Sequence, residues 1–575
     1  MCGIWLYLGM DSSHTENEIL EKSKNLLARG PDRNIVKKIR FGDFTLYMAF
    51  YRLAIMDLSP AGDQPFVLET EIDGKKVTTY LLCNGEIYNY QFLVEKYNLQ
   101  DKLKSHSDCE VLIHLYNLLG IEGLYQELNT DEVSGEFALI IVEVTNNFIQ
   151  IHVARDMGGV RPLYECRYFD KKYHMEGLCF SSQLSGIPYI KKENKECEQF
   201  KPYSFKTYTF ATKTQMRKPF FDWKLNYAFK HHKYSIRDIP ITIYSEQEAL
   251  DKIRSTLITC VEQRMISDRE IMFMCSGGLD SSLCAGIGAR FAEKHNIKIN
   301  TMCIGLEGGT DEIFAKKVAE HIKSKHQHII CTEEEFLDAA KNKVVDVVES
   351  YDITTIRAST PQLESAIKIK ENTDCKVVII GDYSDEICGG YNETKYAPDT
   401  EAFKERIYEL IENIIYFDAQ RADRCIASNG LEARTPFGDH RFIKLYLSID
   451  PKLREPKDSV EKYLLRKAFD GLDYIPQEVL WRPKEAFSDG ISSLKKSWFQ
   501  IVQEGIEELY DESDLLIAKK MYKFNTPFTK ESLHYRIKFC ERYSNSVANV
   551  IPYFWLPKWG NVKDPSARVL SVYKA

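Results

Sequence analysis

Apolar and polar positions follow two different rhythms along this chain. From Phe41 to about Ser182 short apolar runs alternate with turns. The runs at 44–49, 79–83, 137–143 and 148–153 predict strands, and 18–27 and 108–119 carry helical spacing. Many strands with few helices predict a layered α+β domain. After Ser245 the rhythm becomes helix, strand, helix. Ser245 with Glu248 three residues on reads as a capping box ahead of an apolar face of Ala249, Leu250, Ile253, Leu257 and Val261. Apolar runs at 271–275, 302–306, 328–330 and 377–380 are separated by amphipathic stretches, one from about Ser282 and one over 311–321. That pattern predicts a parallel sheet covered on both faces. Past Thr400 the chain reads as mainly helical. Between the two rhythms, from about Lys191 to Ile243, a charge run (192–196) precedes aromatic and basic residues that alternate through Tyr203, Phe205, Tyr208, Phe220, Trp223 and Tyr227. A single-strand nucleic-acid platform is one reading of such interleaving; a hairpin and linker between domains is favoured. The expected division is 2–200, a linker over 201–244, and 245–575.

Composition narrows what this scaffold serves. A hydrophobic content of 44% and a charged content of 28% are those of a soluble globular chain. The net charge of -8 argues against a nucleic-acid partner. No apolar stretch approaches the ~20 residues of a membrane span, and Asp11-Ser12-Ser13-His14 makes the start too polar for a secretory signal. The 15 cysteines include no CxxC pair, and many lie in apolar runs, as Cys83, Cys275, Cys303 and Cys425 do. They read as buried small hydrophobes in a reducing, cytoplasmic setting. His326 and His328 share a strand face, but no further ligand stands near in sequence, so a metal there is not expected.

Four islands carry chemistry in the first part. Cys2 becomes a terminal residue once Met1 is removed. Its thiolate is then a nucleophile, and its own α-amine, with a reference pKa of ~8, can take and return a proton. Asn84-Gly85, read as a strand-to-turn dipeptide, can aim an amide and a backbone N–H at one point, as an oxyanion requires. Arg29-Gly30-Pro31-Asp32 and Arg155-Asp156 with Arg161 read as charged turns. In the second part, Ser276-Gly277-Gly278-Leu279-Asp280-Ser281-Ser282 follows a strand and opens a helix. Glycines there let backbone N–H groups approach phosphate oxygens at a helix N-terminus, and Asp280 can hold Mg²⁺. Neither a Walker A lysine nor GxGxxG is present. Asp382, Asp385 and Glu386 follow a strand at the edge where parallel sheets bind ligands, and three carboxylates so close ask for a cation. Lys462 opens a basic helix; spacing alone makes it a solvated lysine.

Together these islands resemble known families. The first third, with Cys2, resembles the N-terminal-nucleophile (class II) glutamine amidotransferase domain. The SGGLDSS loop resembles the pyrophosphate loop of ATP pyrophosphatases. The combination resembles the glutamine-hydrolysing asparagine synthetases nearly end to end, nearer the eukaryotic branch. The stretches 351–361, 431–437, 481–490 and 555–559, with Asp564-Pro565-Ser566-Ala567-Arg568, support that likeness. It implies a two-domain α/β chain: a layered α+β Ntn-hydrolase domain, then a parallel-sheet ATP-pyrophosphatase domain with a helical C-terminal part. It implies a soluble ligase of glutamine, aspartate and Mg-ATP that forms β-aspartyl-AMP and feeds it ammonia through an apolar channel, and it allows a homodimer.

By position the resemblance assigns Cys2 as nucleophile and Asn84 and Gly85 as oxyanion hole. Arg52 would hold the glutamine carboxylate, with Leu53, Ala54, Ile55 and Met56 as wall, and Glu86 and Asp108 would orient the amino-acid end. Met274, Ile304, Ile380 and Gly381 would line the nucleotide pocket. Ser276, Gly277, Gly278, Asp280, Ser281 and Lys462 would hold phosphates, Asp280 and Asp385 the metal, and Asp382 would stand as the family's critical glutamate. Four positions depart from the family. Asp382-Tyr383 replaces Glu-Gly, which shortens the carboxylate's reach and is expected to forgo a positive φ; Gly438 replaces a leucine and Gln183 a glutamate. A catalytically altered homologue or a ligand-binding regulator is therefore the alternative. A β-lactam-forming relative is disfavoured because those enzymes lack the terminal cysteine.

Overall fold

Residues 1–10, 16–41, 44–72, 74–169, 175–191, 195–211, 227–485, 487–492, 496–559 and 564–566 are described by a computed structural model. Phe220, Trp223 and Ala567-Arg568 lie outside the described residues. The chain divides into two units, Met1–Ser235 and Ile236–Ala575.

Among the described residues, the first unit holds strands β1 (Gly3–Met10), β2 (Arg33–Phe41), β3 (Phe44–Arg52), β4 (Phe66–Ile72), β5 (Lys75–Ile87), β6 (Gly135–Val144), β7 (Phe148–Arg155), β8 (Tyr164–Phe169), β9 (Met175–Ser181), β10 (Lys195–Gln199), β11 (Ser204–Ala211) and β12 (Tyr227–Lys233). They form two antiparallel sheets, β10-β8-β9-β1-β3-β2 and β12-β11-β7-β6-β5-β4. The period of two explains the layering. Ala138, Ile140 and Val142 of β6 join Ile4, Leu6 and Leu8 of β1 and Met48 and Phe50 of β3 in one core. The intervening Phe137, Leu139 and Ile141 join Leu112, Leu115 and Leu128 of the helix Val111–Leu128 in another. Strand β6 is thus buried on both faces, which is why its run is continuously apolar in an antiparallel sheet.

Local structure differs from the sequence reading at two places here, while the hairpin expected within 201–244 is present as β11 and β12. Asn84-Gly85 is no turn: β5 continues to Ile87, with Asn84 opposite Ala138 and Gly85 opposite Phe137. A Cβ on Gly85 would sit 2.3 Å from the Glu136 carbonyl oxygen. Glycine is there for close strand approach, and pairing with β6 overrides the turn preference of the dipeptide. The helix expected from Asp108 begins at Val111; its expected end at 119 falls at Gly120, whose φ of 66° interrupts the coil. The 201–244 segment contributes β11 and β12 to the second sheet, β11 pairing with β7.

The second unit holds β13 (Ile271–Met274), β14 (Asn300–Leu306), β15 (Lys325–Cys331), β16 (Val377–Ile379) and β17 (Glu432–Arg434), all parallel, in the order β15-β14-β13-β16-β17. Strand order reverses at β13, and the crevice at such a reversal is where open α/β sheets bind ligands. The loop after β13 and the turn after β16 flank it. The helix after β13 spans Leu279–Lys294, three residues earlier than expected, so Leu279, Asp280 and Ser281 form its first turn behind an extended Gly278. Ser245 caps the helix Glu246–Arg264 by accepting a hydrogen bond from the Glu248 N–H. Cysteines 2 and 540 are partly exposed, the others are buried, and all are free thiols. Among the described residues no helix is long and apolar enough to cross a membrane.

Candidate active sites

Central placement of β1 between β9 and β3 brings the chain's start to the end of β3, because Gly3 pairs with Tyr51. The Cys2 thiol lies 3.6 Å from the Leu53 carbonyl oxygen, and Arg29 Nε donates to the Cys2 carbonyl at 3.0 Å. The charged turn therefore anchors two segments: Arg29 holds the Cys2 carbonyl, while Asp32 accepts from Ala54 N at 2.8 Å. Met1 is itself buried, its sulfur against Arg161. Arg161 is fully buried and paired with Glu136 at 3.1 Å. Burial pushes the neighbouring Asp156 carboxyl up to about 6, against the pull of Arg155 and two backbone donors.

Hydrogen bonds tie the predicted glutamine wall to the segments around it. Arg52 donates to the Ser59 carbonyl at 2.6 Å, to Asp63 at 2.8 Å and to the Asp57 carbonyl, so its guanidinium shapes the loop it precedes. Asp57 accepts from His106 N at 2.8 Å, Asp108 accepts from Ile87 N at 2.6 Å, and Gln64 accepts from Cys83 N at 2.6 Å. Leu53, Ala54 and Ile55 are buried and Met56 is half-buried. Glu86 is buried beside Asn84, whose amide nitrogen is buried and makes no hydrogen bond. A buried N–H donor without an acceptor costs on the order of 1–3 kcal/mol. An acceptor placed against this amide would offset that cost.

In the second unit one cavity gathers Met274, Ser276, Gly278, Asp280, Ser281, Ile304, Ile380, Gly381, Asp382, Asp385 and Lys462. Gly277 is the predicted residue that does not line it. Its φ is 76°, and a Cβ would lie 2.4 Å from Ala315 N, so it seats the loop on the helix Asp311–His321. Lys462 is no solvated lysine: its side chain is 1% exposed, and Nζ stands 2.6 Å from Asp280 and 2.5 Å from Asp385. Lys484 adds a second ammonium 2.6 Å from Asp385. Burial alone would raise Asp385, but Lys462 and Lys484 hold its carboxyl far below the usual range. Asp280 and Asp385 hold Lys462 charged against its own burial.

Asp382 sits apart from this chain of charges. It pairs with Arg421 at 2.8 Å, and Arg421 pairs with Asp418 at 2.6 Å. Burial raises the Asp382 carboxyl despite Arg421, and Asp418 and Asp385 push the same way. Tyr383 adopts a φ of 81° although it is not glycine, so the expected loss of a positive φ does not occur. The ring is 2% exposed. Left-handed backbone costs a non-glycine residue roughly 1–2 kcal/mol, whereas deleting a buried aromatic ring costs roughly 3–5. Tyr383→Gly is therefore expected to lower unfolding stability by about 2 kcal/mol, read from urea denaturation midpoints at constant m.

The family described as "Glutamine amidotransferase domain" matches residues 1–222, and the one described as "Asparagine synthase" matches 252–402 and 396–539. A probable asparagine synthetase [glutamine-hydrolyzing] of Acanthamoeba polyphaga mimivirus is 37% identical over 584 residues, covering 100% of both chains. The asparagine synthetases [glutamine-hydrolyzing] of Gallus gallus and Homo sapiens are 36% and 35% identical, over 100% of this chain and 99% of theirs. The chain belongs to the asparagine synthetase family.

For a member of this family, several cavity residues escaped the sequence reading as site residues: Gln362, Asp418, Arg421, Asp311, Arg482 and Lys484. The stretches holding Arg482 and Lys484 were visible as family-like, but their role was not. Asp418 and Arg421 carried one signal, an opposite-charge pair three residues apart on a helix whose other residues are mostly buried. Gly438, a departure from the family, is buried in a 3₁₀ turn and does not line the cavity.

Asp311 also bears a pH prediction. Burial pushes its carboxyl up to about 7 in spite of Arg482 at 2.9 Å. Because the folded value lies above the unfolded one of about 3.9, the native state binds the extra proton. The contribution to stability falls as pH rises between those two values. Asp311→Asn should flatten that part of a stability–pH curve measured by chemical denaturation.

Proposed function

We propose that the chain makes L-asparagine from L-aspartate, cleaving ATP to AMP and pyrophosphate and taking nitrogen from glutamine. The observation that carries this reading is the lysine-bridged pair: Lys462 draws Asp280 of the glycine-rich loop and Asp385 of the turn after β16 to one point at the strand-order reversal. Two carboxylates within reach of one ammonium also fit a divalent cation, which Mg²⁺ would satisfy with phosphate oxygens completing its shell. When bound, Mg²⁺ would neutralise phosphate charge as it develops.

The chain's own residues do the rest. Met274 and Ile304 offer an apolar wall to the adenine, while Ser276, Gly278 and Ser281 face the phosphates. A carboxylate is a poor electrophile, so aspartate is activated by joining AMP. Asp382, raised by burial, is suited to take a proton from the attacking ammonia. In the first unit, the Cys2 thiolate attacks the glutamine amide, the Cys2 α-amine moves the proton, and Asn84 with Gly85 N–H receives the oxyanion. Arg29 and Asp32 hold that start of the chain in place. The free thiols suit a cytoplasmic setting.

A regulator that only binds ligand is not favoured, since Asp382 keeps a carboxylate in the cavity. With free ammonia, aspartate and Mg-ATP, the chain should yield asparagine and AMP in equal amounts. Formation of ADP, or of no asparagine, defeats the reading. Asp382→Asn should lower that rate by about 10²–10³-fold, the scale of losing one preorganised electrostatic contact. Asp382→Glu, which restores the family's residue, should stay within about tenfold of the parent.

A further inference from the structure

We infer that Gln64 and Cys109 are positioning residues for the oxyanion hole, their side chains holding the edge of β5 that is left without a neighbouring strand. The inference rests on the reading of Cys2, Asn84 and Gly85 as a glutamine-cleaving site. Strand β4 begins at Phe66, opposite Leu81, while β5 runs on to Ile87 with β6 along its other edge. Among the described residues no strand therefore covers the outer edge of β5 past Leu81. Asn84 and Gly85 lie in that uncovered length.

Side chains take the place of the missing strand. Backbone groups that face one edge come from alternate residues. Cys83 N–H donates to Gln64 Oε1 at 2.6 Å, the Gly85 carbonyl accepts from the Cys109 thiol at 3.4 Å, and Ile87 N–H donates to Asp108 Oδ2 at 2.6 Å. Residues 83, 85 and 87 are thus each anchored from outside the sheet. Asp108 and Cys109 are neighbours in the chain, so one short segment holds two of the three. Gln64 and Cys109 are both buried. A hydrogen bond with the Cys83 thiol, burial and the Asp108 charge push the Cys109 thiol far up, so it keeps the proton it donates.

The same edge presents the N–H of the oxyanion pair. Gly85 stands opposite Phe137, which donates its N–H to Asp156 Oδ2 at 3.2 Å and accepts from Asp156 N at 2.9 Å. Asp156 follows β7, on the far side of β6, so those bonds point away from β5. Gly85 and Phe137 therefore exchange no ladder hydrogen bonds. The Gly85 N–H leaves β5 on the side of Gln64 and Cys109, between the anchored Cys83 and Ile87. A continued β4 would set a carbonyl against it. Side chains instead satisfy Cys83 N, Gly85 O and Ile87 N singly and leave the Gly85 N–H to an oxyanion. Such a donor helps only when it is held where charge develops. Gln64 and Cys109 supply that hold through the backbone on either side of it.

Steady-state glutamine hydrolysis by the full chain, read as glutamate released, tests the inference. Cys109→Ala and Gln64→Met should each lower kcat by about tenfold, short of the roughly 10²–10³-fold cost of losing a donor outright. KM should stay within about twofold, because the oxyanion exists only in the transition state. Cys109→Ser, whose hydroxyl keeps a donor, should remain within about threefold of the parent. Hydrogen exchange over residues 82–88, followed by mass spectrometry, should quicken in Cys109→Ala and Gln64→Met and stay unchanged elsewhere in the first unit. An unchanged kcat, a rise in KM alone, a loss in Cys109→Ser equal to that in Cys109→Ala, or faster exchange throughout the unit would each overturn it. A parent that releases no glutamate contradicts the glutamine reading; local quickening in its variants still supports the held edge, and unchanged exchange overturns it.

Discussion

Cys2→Ala is expected to abolish glutamine-dependent asparagine formation, by about 10⁴-fold or more, while synthesis from free ammonia continues near the parent rate. The size follows from removing a covalent nucleophile, whose loss costs more than any single positioning contact. The separation follows from the architecture: Cys2 is held in the first unit by Leu53 and Arg29, and the loop, the carboxylates and Lys462 belong to the second. Paired assays with glutamine and with ammonium, each reading asparagine by chromatography, check both halves. A parallel fall in both would mean that Cys2 supports the fold rather than the chemistry.

Lys462→Met carries the second large effect, at the other site. Its ammonium touches both Asp280 and Asp385. Removing it leaves two carboxylates facing each other, with Lys484 beside Asp385 and the Ser384 hydroxyl beside Asp280. Breaking a buried pair costs roughly 3–5 kcal/mol, and the partial exposure of both aspartates puts the expected loss near the lower end. Activity with ammonia should fall by about 10³-fold, because phosphate charge loses a cation fixed at the loop. The stability loss should depend on pH with a definite sign. In the parent the folded Asp385 carboxyl lies below its unfolded value, so its contribution is present above about pH 4 and is lost on acidification. The difference between parent and variant, from denaturation curves, should therefore be larger at neutral pH than in acid. An equal difference at both would mean that Lys462 acts through packing alone.

Local chemistry made much of these sites legible in the sequence. The SGGLDSS loop after an apolar run needs only its neighbours to be recognised, and all its residues but Gly277 and Ser282 line the cavity. Strands β13, β14 and β16 were legible because burial leaves continuous apolar runs, whereas β17, Glu432–Arg434, was not read as a strand because two of its three residues are charged. Asn84-Gly85 differs for the opposite reason: the dipeptide's turn preference is local, while its register with β6 is set by Ala138 and Phe137, 54 and 52 residues away. Lys462 looked solvated because nothing nearby in sequence shows that Asp280 and Asp385 close over it. Lys484 and Arg421 were invisible as site residues for the same reason, since their partners lie 99 and 39 residues off, at Asp385 and Asp382. Tyr383 was taken to forgo a positive φ on propensity alone, and the packed ring holds it there against that propensity.

On the function proposed above, one chain frees nitrogen from glutamine and joins it to an aspartyl group activated by AMP. Glutamine labelled with ¹⁵N in its side-chain amide, given with aspartate and Mg-ATP, tests it most directly by mass spectrometry of the products. The label should appear in the side-chain amide of asparagine, with one AMP formed for each asparagine. Labelled ammonia accumulating while aspartate stays unchanged, or asparagine formed with ADP and phosphate, would contradict it.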